Sequence, residues 1–452
     1  MEERKASEGF SNAREDLISK LHDSLISQIL FYLPTKEAVR TSVLSKRWNI
    51  VWLLIPRLDL ESYEFPTYNE FVVFMDKFLD FSKGENSCLH KLRLSIWEEK
   101  NDQYSSVTRW IDFVAATHKL KHLDVESLIV KRECLQVMPV SLYISQTLLY
   151  LRLHRVLLGS FESVSLPCLK TMHLETNIYA NETSLELLIS SCHVLEDLSI
   201  VRKVDDNVKV LRVHSQSINS LSVGYVFPES QDLSRFDRVN SGVLIDAPKL
   251  KYLKFIKEIS ASKIISNLCS LVKVGFVGPF HIQRKYFNGN KQMASNFFTG
   301  IARVRDMSIS YSVMKLILKV ESSFHFGNLT CLEAKLYGYD VKILSTFLER
   351  CPNLKSIVLD FDYSSFVTAP SFSSVPQCLL SSIEFVEIKS RFNGRPVEIE
   401  VAKYFVKNSI VLKKLVVHLS HSMQNKSFVD LTNLFTWPRA SSMCEIVHVN
   451  DC

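Results

Sequence analysis

Apolar positions between residues 16 and 56 recur with a helical period and predict three short helices. The first begins at the cap-type residue Asp23 and extends to Leu33, because Pro34 cannot continue a helix. A second helix follows from Thr35, which can act as its cap. The third helix presents one apolar face, formed by Trp48, Val51 and Trp52.

The first helix has two apolar stripes, and one of them can close the core of so small a module. Leu25, Ile29 and Leu33 form one stripe, and Ile26 and Leu30 form the other, rotated away from it. A unit of this size buries only about 60% of the surface that its unfolded chain exposes. The remaining stripe is therefore expected either to pack against the rest of the chain, as ordinary core, or to bind a partner.

After residue 56 one apolar spacing recurs along the chain: two apolar residues three positions apart, then a third two positions further on. It is first met at Leu89, Leu92 and Leu94. Later instances begin at Leu120, Leu148, Leu169, Leu195, Val208, Ile218, Leu250, Leu271, Val304, Leu354, Ile383 and Leu412. Most intervals are 21 to 33 residues, close to the period of leucine-rich repeats. The alternation within each unit predicts a strand.

Helical patterns separate several of the predicted strands, at residues 71–79, 110–114, 184–191, 341–350 and 400–408. A strand with its helix cannot bury its apolar side alone, so successive units are expected to stack around one continuous core. Cys192 and Cys351 each follow a helix and precede a strand, where a small buried side chain fills a tight turn. The pattern therefore predicts an α/β solenoid.

Two runs near the N-terminus, LPTK at residues 33–36 and TSVLSKRW at residues 41–48, closely resemble the plant F-box, a three-helix module. In that family the module binds a Skp1-like adaptor of a cullin-RING ubiquitin ligase, and the resemblance implies the same partner here. It also implies which residues contact the adaptor or directly support the contact: Leu21, Leu25, Ile29, Leu33, Pro34, Val43 and Trp48.

His22 departs from the family pattern, which usually has proline between the leucine and the aspartate of Leu21-His22-Asp23. The departure removes a residue with a fixed φ at the start of the first helix. It also removes an apolar contact that the family resemblance implies at the adaptor interface. We therefore expect weaker binding to the adaptor rather than none.

The degenerate repeats resemble the irregular leucine-rich repeats that follow F-boxes in plant proteins. Near the C-terminus, the runs YFVKNS at residues 404–409 and PRAS at residues 438–441 are similar to the FBD domain that ends such proteins. The resemblance implies an N-terminal three-helix F-box followed by an irregular right-handed α/β leucine-rich-repeat solenoid with a C-terminal capping FBD unit. This unit would shield the apolar edge of the last repeat. The expected divisions are a flexible N-terminus at 1–14, the F-box at 15–60, the solenoid at 61–373 and the FBD domain at 374–452.

Composition indicates a globular protein, since 46% of the residues are hydrophobic and 23% are charged. The net charge of +6 shows no basic stripe along the sequence, which argues against nucleic-acid binding. A charged start and no run of 18 apolar residues argue against a signal peptide and a membrane span. Ten cysteines without a Cys-x-x-Cys pair favour reduced thiols, and so a cytoplasmic or nuclear protein.

No catalytic pattern occurs in the sequence. Phosphate-binding loops, the His-Glu-x-x-His zinc motif and the Gly-x-Ser-x-Gly elbow are all missing. His118 with His122, and His418 with His421, lack a third ligand nearby. We therefore expect no enzymatic activity, no cofactor and no metal.

Side chains that alternate with the buried ones on the strands are expected to line a concave, target-binding surface. The candidates there are Arg93, Arg152, His173, Arg212 and Lys254. This slightly basic set suits an acidic segment or an anionic ligand. The sequence thus predicts the substrate-receptor subunit of a Skp1–cullin–F-box ligase, with a Skp1-like adaptor, cullin and an unknown target protein as partners. Two alternatives stay open: a repeat scaffold that binds proteins outside any ligase, and a small-molecule receptor on the same scaffold.

Overall fold

The computed structural model describes residues 18, 20–83, 89–97, 106–117, 119–128, 135–203, 205–226, 242–257, 262–266, 268–278, 297–320, 324–337, 341–362, 372, 374–392, 396–419 and 436–450. The expected flexible N-terminus at 1–14 lies outside these residues, as do His118 and His421.

Three short helices form the N-terminal module, as the pattern predicts. Helix α1 spans Asp23–Leu30, α2 spans Thr35–Arg40 and α3 spans Trp48–Val51. Two 3₁₀ segments, Thr41–Val43 and Trp52–Leu54, extend α2 and α3. The module therefore matches the predicted order of elements.

The ends of α1 differ from the prediction. The helix stops at Leu30 rather than Leu33. After the C-cap residue Phe31, the amides of Tyr32 and Leu33 donate to carbonyls only three residues back and tighten the chain into a turn before the proline. The cap is His22 rather than Asp23, since the Nδ1 of His22 accepts from the backbone N–H of Ser24 at 3.4 Å.

Beyond the module, the strands of one large sheet alternate with helices or with the strands of two smaller sheets. The strands are β1 (Arg57–Glu61), β2 (Lys91–Ile96), β3 (His122–Ser127), β4 (Val137–Met138), β5 (Tyr150–His154), β6 (Leu157–Leu158), β7 (Thr171–Glu175), β8 (Ile178–Tyr179), β9 (Asp197–Arg202), β10 (Val210–His214), β11 (Ser220–Tyr225), β12 (Gly242–Asp246), β13 (Tyr252–Ile256), β14 (Ser262–Ser266), β15 (Lys273–Val277), β16 (Asp306–Ser310), β17 (Cys331–Tyr337), β18 (Ser356–Asp362), β19 (Phe385–Phe392), β20 (Lys414–Leu419) and β21 (Glu445–Asn450). The helices are α4 (Tyr68–Phe81), α5 (Ser106–Thr117), α6 (Glu182–Ser190), α7 (Tyr311–Val320), α8 (Lys342–Leu348), α9 (Gln377–Ser381) and α10 (Pro396–Asn408).

Among the described residues, fifteen strands form one parallel sheet, in the order β1-β2-β3-β5-β7-β9-β11-β13-β15-β16-β17-β18-β19-β20-β21. The repeated apolar spacing sets its register, because the second apolar residue of each unit lies opposite that of the next, as Leu92 does with Leu123. This buried row consists of Leu58, Leu92, Leu123, Leu151, Met172, Leu198, Leu221, Leu253, Val274, Met307, Leu332, Ile357, Val386, Leu415 and Ile446. Each such side chain contributes about 1.5–3 kcal/mol through its burial. The predicted repeat fold is confirmed.

The patterns do not predict three strands of the large sheet, β1, β17 and β21, or the two helices α7 and α9. The spacing also occurs at Ile55, Leu58 and Leu60, so β1 already belongs to the large sheet, and residue 60, where we expected the F-box to end, lies within this strand. The spacing does not predict strand β17, because the third apolar position of its repeat unit is Ala334, which is only weakly apolar. Helix α7, which directly follows β16, was not anticipated.

Two smaller parallel sheets replace helices in part of the chain, in the orders β4-β6-β8 and β10-β12-β14. The chain passes from β5 to β6 through Arg155 and from β7 to β8 through Thr176, both with positive φ, at 54° and 51°. Asn177 ties these corners together while fully buried: its Nδ2 donates to the carbonyl of Leu153 and its Oδ1 accepts from the N–H of Val156. The apolar spacing that starts at Val208 continues into β10, which pairs with β12 in one of the smaller sheets. Its expected place among the strands of the main repeat is therefore wrong.

The C-terminal segment continues the large sheet through β19, β20 and β21, and α10 packs against the same core. Cys192 and Cys351 are buried, with each Sγ near the carbonyl oxygen four residues back, at 3.1 and 3.5 Å. No helix within the described ranges is both long enough and apolar enough to cross a membrane.

Candidate functional site

The two apolar stripes of α1 have different environments. Ile26 and Leu30 are buried in the module's own core. That core also contains Ala38, Trp48, Val51 and Ile55. Leu25 and Ile29, one helical turn apart, stay 47% and 51% exposed. The stripe of Ile26 and Leu30 therefore closes the module. Of the other stripe, Leu25 and Ile29 face solvent in this chain, and Leu33 packs against the module's core.

Exposed apolar side chains are concentrated in the N-terminal module. Among the described residues, nine of the 26 exposed large apolar side chains fall within residues 18–54, although this stretch supplies only 36 of the 338 described residues. The nine are Ile18, Leu25, Ile29, Phe31, Tyr32, Val43, Leu44, Ile50 and Leu54. Val43 is the most exposed of the 26, at 85%. Such a density of uncovered apolar surface is typical of a protein-binding surface.

The seven residues implied by the family resemblance lie at three depths. Leu25, Ile29, Pro34 and Val43 are exposed. Leu21 and Leu33 are half-buried and pack against the module's core. Trp48 is buried, at 6% exposure, so it can support a contact but cannot make one.

Sequence reasoning did not single out Leu44 and Ile50, which are 64% and 54% exposed. Leu44 lies inside the TSVLSKRW run, where its position in the motif was the available signal. Ile50 lies between Trp48 and Val51 on α3, and its offset from their shared face would have placed it outward.

An ion pair holds the second half of the module against the start of α1. Arg47 pairs with the carboxylate of Asp23 at 2.6 Å, and its guanidinium also donates to the backbone carbonyl of Leu21. Both side chains are partly exposed, so the ion pair alone adds little stability. Its effect is geometric, because it fixes the chain after Val43 relative to α1.

Aromatic stacking attaches the module to the sheet. Trp52 lies parallel to Phe74 and Phe78 of α4, with ring centroids 6.1 Å apart in both pairs. The Trp52 ring packs against both the module's core and the core of the sheet. The two cores are therefore joined through one side chain.

Hydrogen bonds between the module and β1 reinforce this attachment. Arg57 donates to the carbonyl of Leu33 at 2.6 Å, and the N–H of Asp59 donates to Oγ1 of Thr35 at 3.0 Å. The sheet thus covers the start of α2, while Leu25 and Ile29 on α1 stay exposed.

The face of the large sheet that is opposite its core, here called the open face, carries four of the five candidate target-binding residues. On this face the guanidinium of Arg93 donates to Asp59 at 2.9 Å and to Glu61 at 3.0 Å. Burial opposes the charge of Arg93, but these hydrogen bonds outweigh it and raise the pKa of Arg93. Arg152 is held in the same way, by Asp124 at 3.1 Å and Glu175 at 3.0 Å.

Carboxylates outnumber cations around these two arginines. Five lie near them on β1, β3 and β7: Asp59, Glu61, Asp124, Glu126 and Glu175. The Glu126 carboxylate also pairs with His154 at 2.6 Å. Burial of Asp124 raises its pKa even though Arg152 lies beside it. This pairing removes the free positive charge on which our expectation for Arg93 and Arg152 rested.

The other three candidates lie in different settings. His173 packs edge-to-face on Tyr150, whose ring stacks on His122 at 4.0 Å. Burial, together with Lys91, lowers the pKa of His122 to about 4. Lys254 is exposed on β13. Arg212 lies on β10 in a smaller sheet, so its expected place on the same surface as the other four is wrong.

Metal ligands are not assembled in the described ranges, where no three His, Cys, Asp or Glu side chains are grouped to hold an ion. His418, one of the histidines considered from the sequence, pairs with Glu387 at 2.8 Å.

Family profiles match three separate regions of the chain. The profile "F-box domain" matches residues 18–58. The profile "FBD-associated F-box protein At5g56370, LRR repeats" matches residues 107–278, and the profile "FBD" matches residues 370–417. These regions are the N-terminal module, part of the repeat sheet, and the segment that contains β19 and α10.

Relatives from Arabidopsis thaliana align over nearly the whole chain. FBD-associated F-box protein At5g44490 is 61% identical over 450 residues, which are 98% of this chain and 93% of that protein. FBD-associated F-box protein At5g22730 is 54% identical over 451 residues, covering 96% and 94% of the two chains. Putative F-box/FBD/LRR-repeat protein At5g22610 is 54% identical over 452 residues, covering 96% and 89%. The chain therefore belongs to the plant family of FBD-associated F-box proteins with leucine-rich repeats.

Proposed function

We propose that the chain is the substrate-recognition subunit of a Skp1–cullin–F-box ubiquitin ligase. The observation that supports this most is the uncovered stripe of α1. Ile26 and Leu30 already close the module's core, and the sheet covers the start of α2, yet Leu25 and Ile29 face solvent. Two adjacent apolar side chains that neither the module nor the solenoid uses are best explained by a protein that binds them. In an F-box, that protein is a Skp1-like adaptor, which links the chain to cullin.

The proposed mechanism is proximity rather than chemistry by this chain. The F-box anchors the chain to the ligase in the cytoplasm or nucleus, and the open face of the sheet holds a target protein. Trp52 and the hydrogen bonds to β1 join the two parts, so an anchored F-box carries the target at a defined position. The resulting local concentration of target lysines favours ubiquitin transfer.

A binding measurement with a purified Skp1-like adaptor tests the proposal. The variant Leu25→Asp/Ile29→Asp changes two exposed side chains and is expected to leave the fold intact. It is expected to weaken adaptor binding at least about tenfold, because two charges would be buried in an apolar contact. Trp48 is not used, since its replacement would open the module's core.

The matched control is Ile410→Asp/Met443→Asp, which changes two apolar side chains of similar exposure, 53% and 75%, in the C-terminal segment. It is expected to bind the adaptor like the unmodified chain. Equal adaptor binding by the α1 variant and the unmodified chain would refute the assignment. No adaptor binding by the unmodified chain would favour the scaffold outside a ligase. No observation on the described residues favours the small-molecule receptor.

A further inference from the structure

The amino-terminal ends of the large sheet's strands form a rim with an excess of positive charge. The rim is defined here as the residue before each of the fifteen strands and the strand's first residue. It holds ten Lys or Arg and five Asp or Glu, a net charge of +5, against +6 for the whole chain. The cations are Arg57, Lys91, Lys121, Lys170, Lys251, Lys273, Arg305, Lys355, Lys413 and Lys414.

Backbone hydrogen bonds show that these positions are structurally equivalent. The carbonyl of Lys121 accepts from the N–H of Leu149, that of Lys251 from Val272, and that of Arg305 from Thr330, all at 2.8–2.9 Å. Residues far apart in the sequence are thereby placed in line along one edge of the sheet. The expectation from the sequence that positive charge is not clustered is therefore wrong.

The charge is densest on the three adjacent strands β13, β15 and β16. Residues 249–256, 271–277 and 303–310 contain six cations and one carboxylate, that of Asp306. The six, here called the basic cluster, are Lys249, Lys251, Lys254, Lys273, Arg303 and Arg305, and all are exposed. Within the described part of the chain, none of the six forms an ion pair. This distinguishes them from Arg93 and Arg152, which carboxylates already hold.

The open face beside the basic cluster is shallow. A row in register across β9, β11, β13, β15 and β16 has small side chains except at Lys254: Ser199, Ser222, Lys254, Gly275 and Ser308. Gly275 itself is buried, and an added Cβ there would lie 3.7 Å from Cγ of Lys254, so the Lys254 side chain lies against this position. The serines of the row are partly exposed and have no long side chain that would hold a partner away from the sheet. Tyr252, 50% exposed and opposite Lys273, adds an aromatic side chain of the kind that anchors protein interfaces.

We propose that the open face over β9–β16, together with the basic cluster that lies on and beside it, holds an acidic segment of the target protein. This inference rests on the proposed function and specifies its target class. Unpaired cations around a shallow face complement an extended chain that carries Asp, Glu or phosphorylated side chains. The same segment would be repelled over β1–β7, where five carboxylates surround Arg93 and Arg152. Charge thus directs the target to one half of the sheet.

The rim's own carboxylates favour a protein partner over a nucleic acid. Glu196, Asp197 and Asp306 interrupt the line of cations on β9 and β16. A nucleic acid carries a negative charge on every nucleotide and would be repelled at those points. A protein segment can place acidic side chains opposite the basic cluster and neutral ones opposite the carboxylates.

Fluorescence anisotropy with a labelled twelve-residue peptide of glutamate tests the inference on the full chain. The variant Lys251→Glu/Lys273→Glu is expected to lose at least about tenfold in affinity, since two contacts become repulsive. Its control is Lys77→Glu/Lys407→Glu, which makes the same change in net charge on exposed positions of α4 and α10. The control is expected to change affinity less than about twofold.

Three results would overturn the inference: no binding of the peptide to the unmodified chain, an equal loss in the control, or tighter binding of a twelve-nucleotide single strand that depends on the same lysines. Adaptor affinity is measured for each variant in parallel. The cluster variant is expected to bind the adaptor normally, so a loss confined to the peptide concerns this inference, whereas a failure of adaptor binding concerns the proposed function.

Discussion

At the scale of single residues, the structure gives several polar side chains a role that differs from the one expected from the sequence. His22, seen in the sequence only as a missing proline, caps α1 through its Nδ1. Arg93 and Arg152, candidates for binding anions, are neutralised by neighbouring carboxylates. Sequence reasoning could place these side chains on the surface, but it could not find their partners, because Asp59 and Arg93 are 34 residues apart in the chain.

Replacing His22 by proline is expected to strengthen adaptor binding. The backbone of His22 already has a φ of −66°, which proline would fix without strain, so the start of α1 would lose less entropy on binding. An increase in affinity of about two- to fivefold is expected, corresponding to about 0.4–1 kcal/mol. Calorimetric titration with a Skp1-like adaptor measures it.

The control for this change is His22→Ala, which removes the capping acceptor without fixing φ and is expected to weaken adaptor binding slightly. If proline weakens binding as much as alanine does, the imidazole of His22 itself contacts the adaptor, and its role as a substitute for the family's proline is wrong.

At the scale of elements, the apolar spacing predicted nearly every strand of the large sheet, because burial of the same positions in each unit fixes both the strand and its register. The spacing did not distinguish the strands of the large sheet from those of the smaller sheets, which take the place of helices in part of the chain. The spacing starting at Val208 is as regular as the others, but its strand pairs in the smaller sheet. A single strand's pattern carries no information about which sheet it joins.

Close packing between adjacent strands gives a test at this scale. A Cβ added at Gly224 on β11 would lie 2.4 Å from the carbonyl oxygen of Ile256 and 2.7 Å from its Cβ. Gly224→Ala is therefore expected to push β11 and β13 apart and to lower the free energy of unfolding by about 1–3 kcal/mol. The shift of the urea midpoint measures the loss.

Gly275→Ala is the matched control, since its new Cβ would be 3.7 Å from the nearest atom, a Lys254 side-chain carbon. It is expected to leave the midpoint nearly unchanged. Equal shifts for the two variants would mean that the close approach of β11 and β13 at Gly224 does not limit stability.

At the scale of the whole molecule, the sequence predicted the order of F-box, repeats and FBD segment, and the family comparisons confirm the assignment. It did not predict that Trp52 and β1 both attach the module to the sheet, or that β21 adds a last strand to that sheet. It also missed the basic rim, because charges spaced by a whole repeat look scattered until the strands align. These properties arise from stacking, and they follow only once the register between units is known.

The division of the molecule into an adaptor-binding module and a target-binding sheet is tested most directly by hydrogen–deuterium exchange of the full chain with and without a Skp1-like adaptor. Slower exchange of the backbone amides is expected within residues 21–54, above all in α1, with no change over 249–256 and 303–310. Protection over the sheet's open face, or no protection of α1 at a saturating adaptor concentration, would contradict the proposed role.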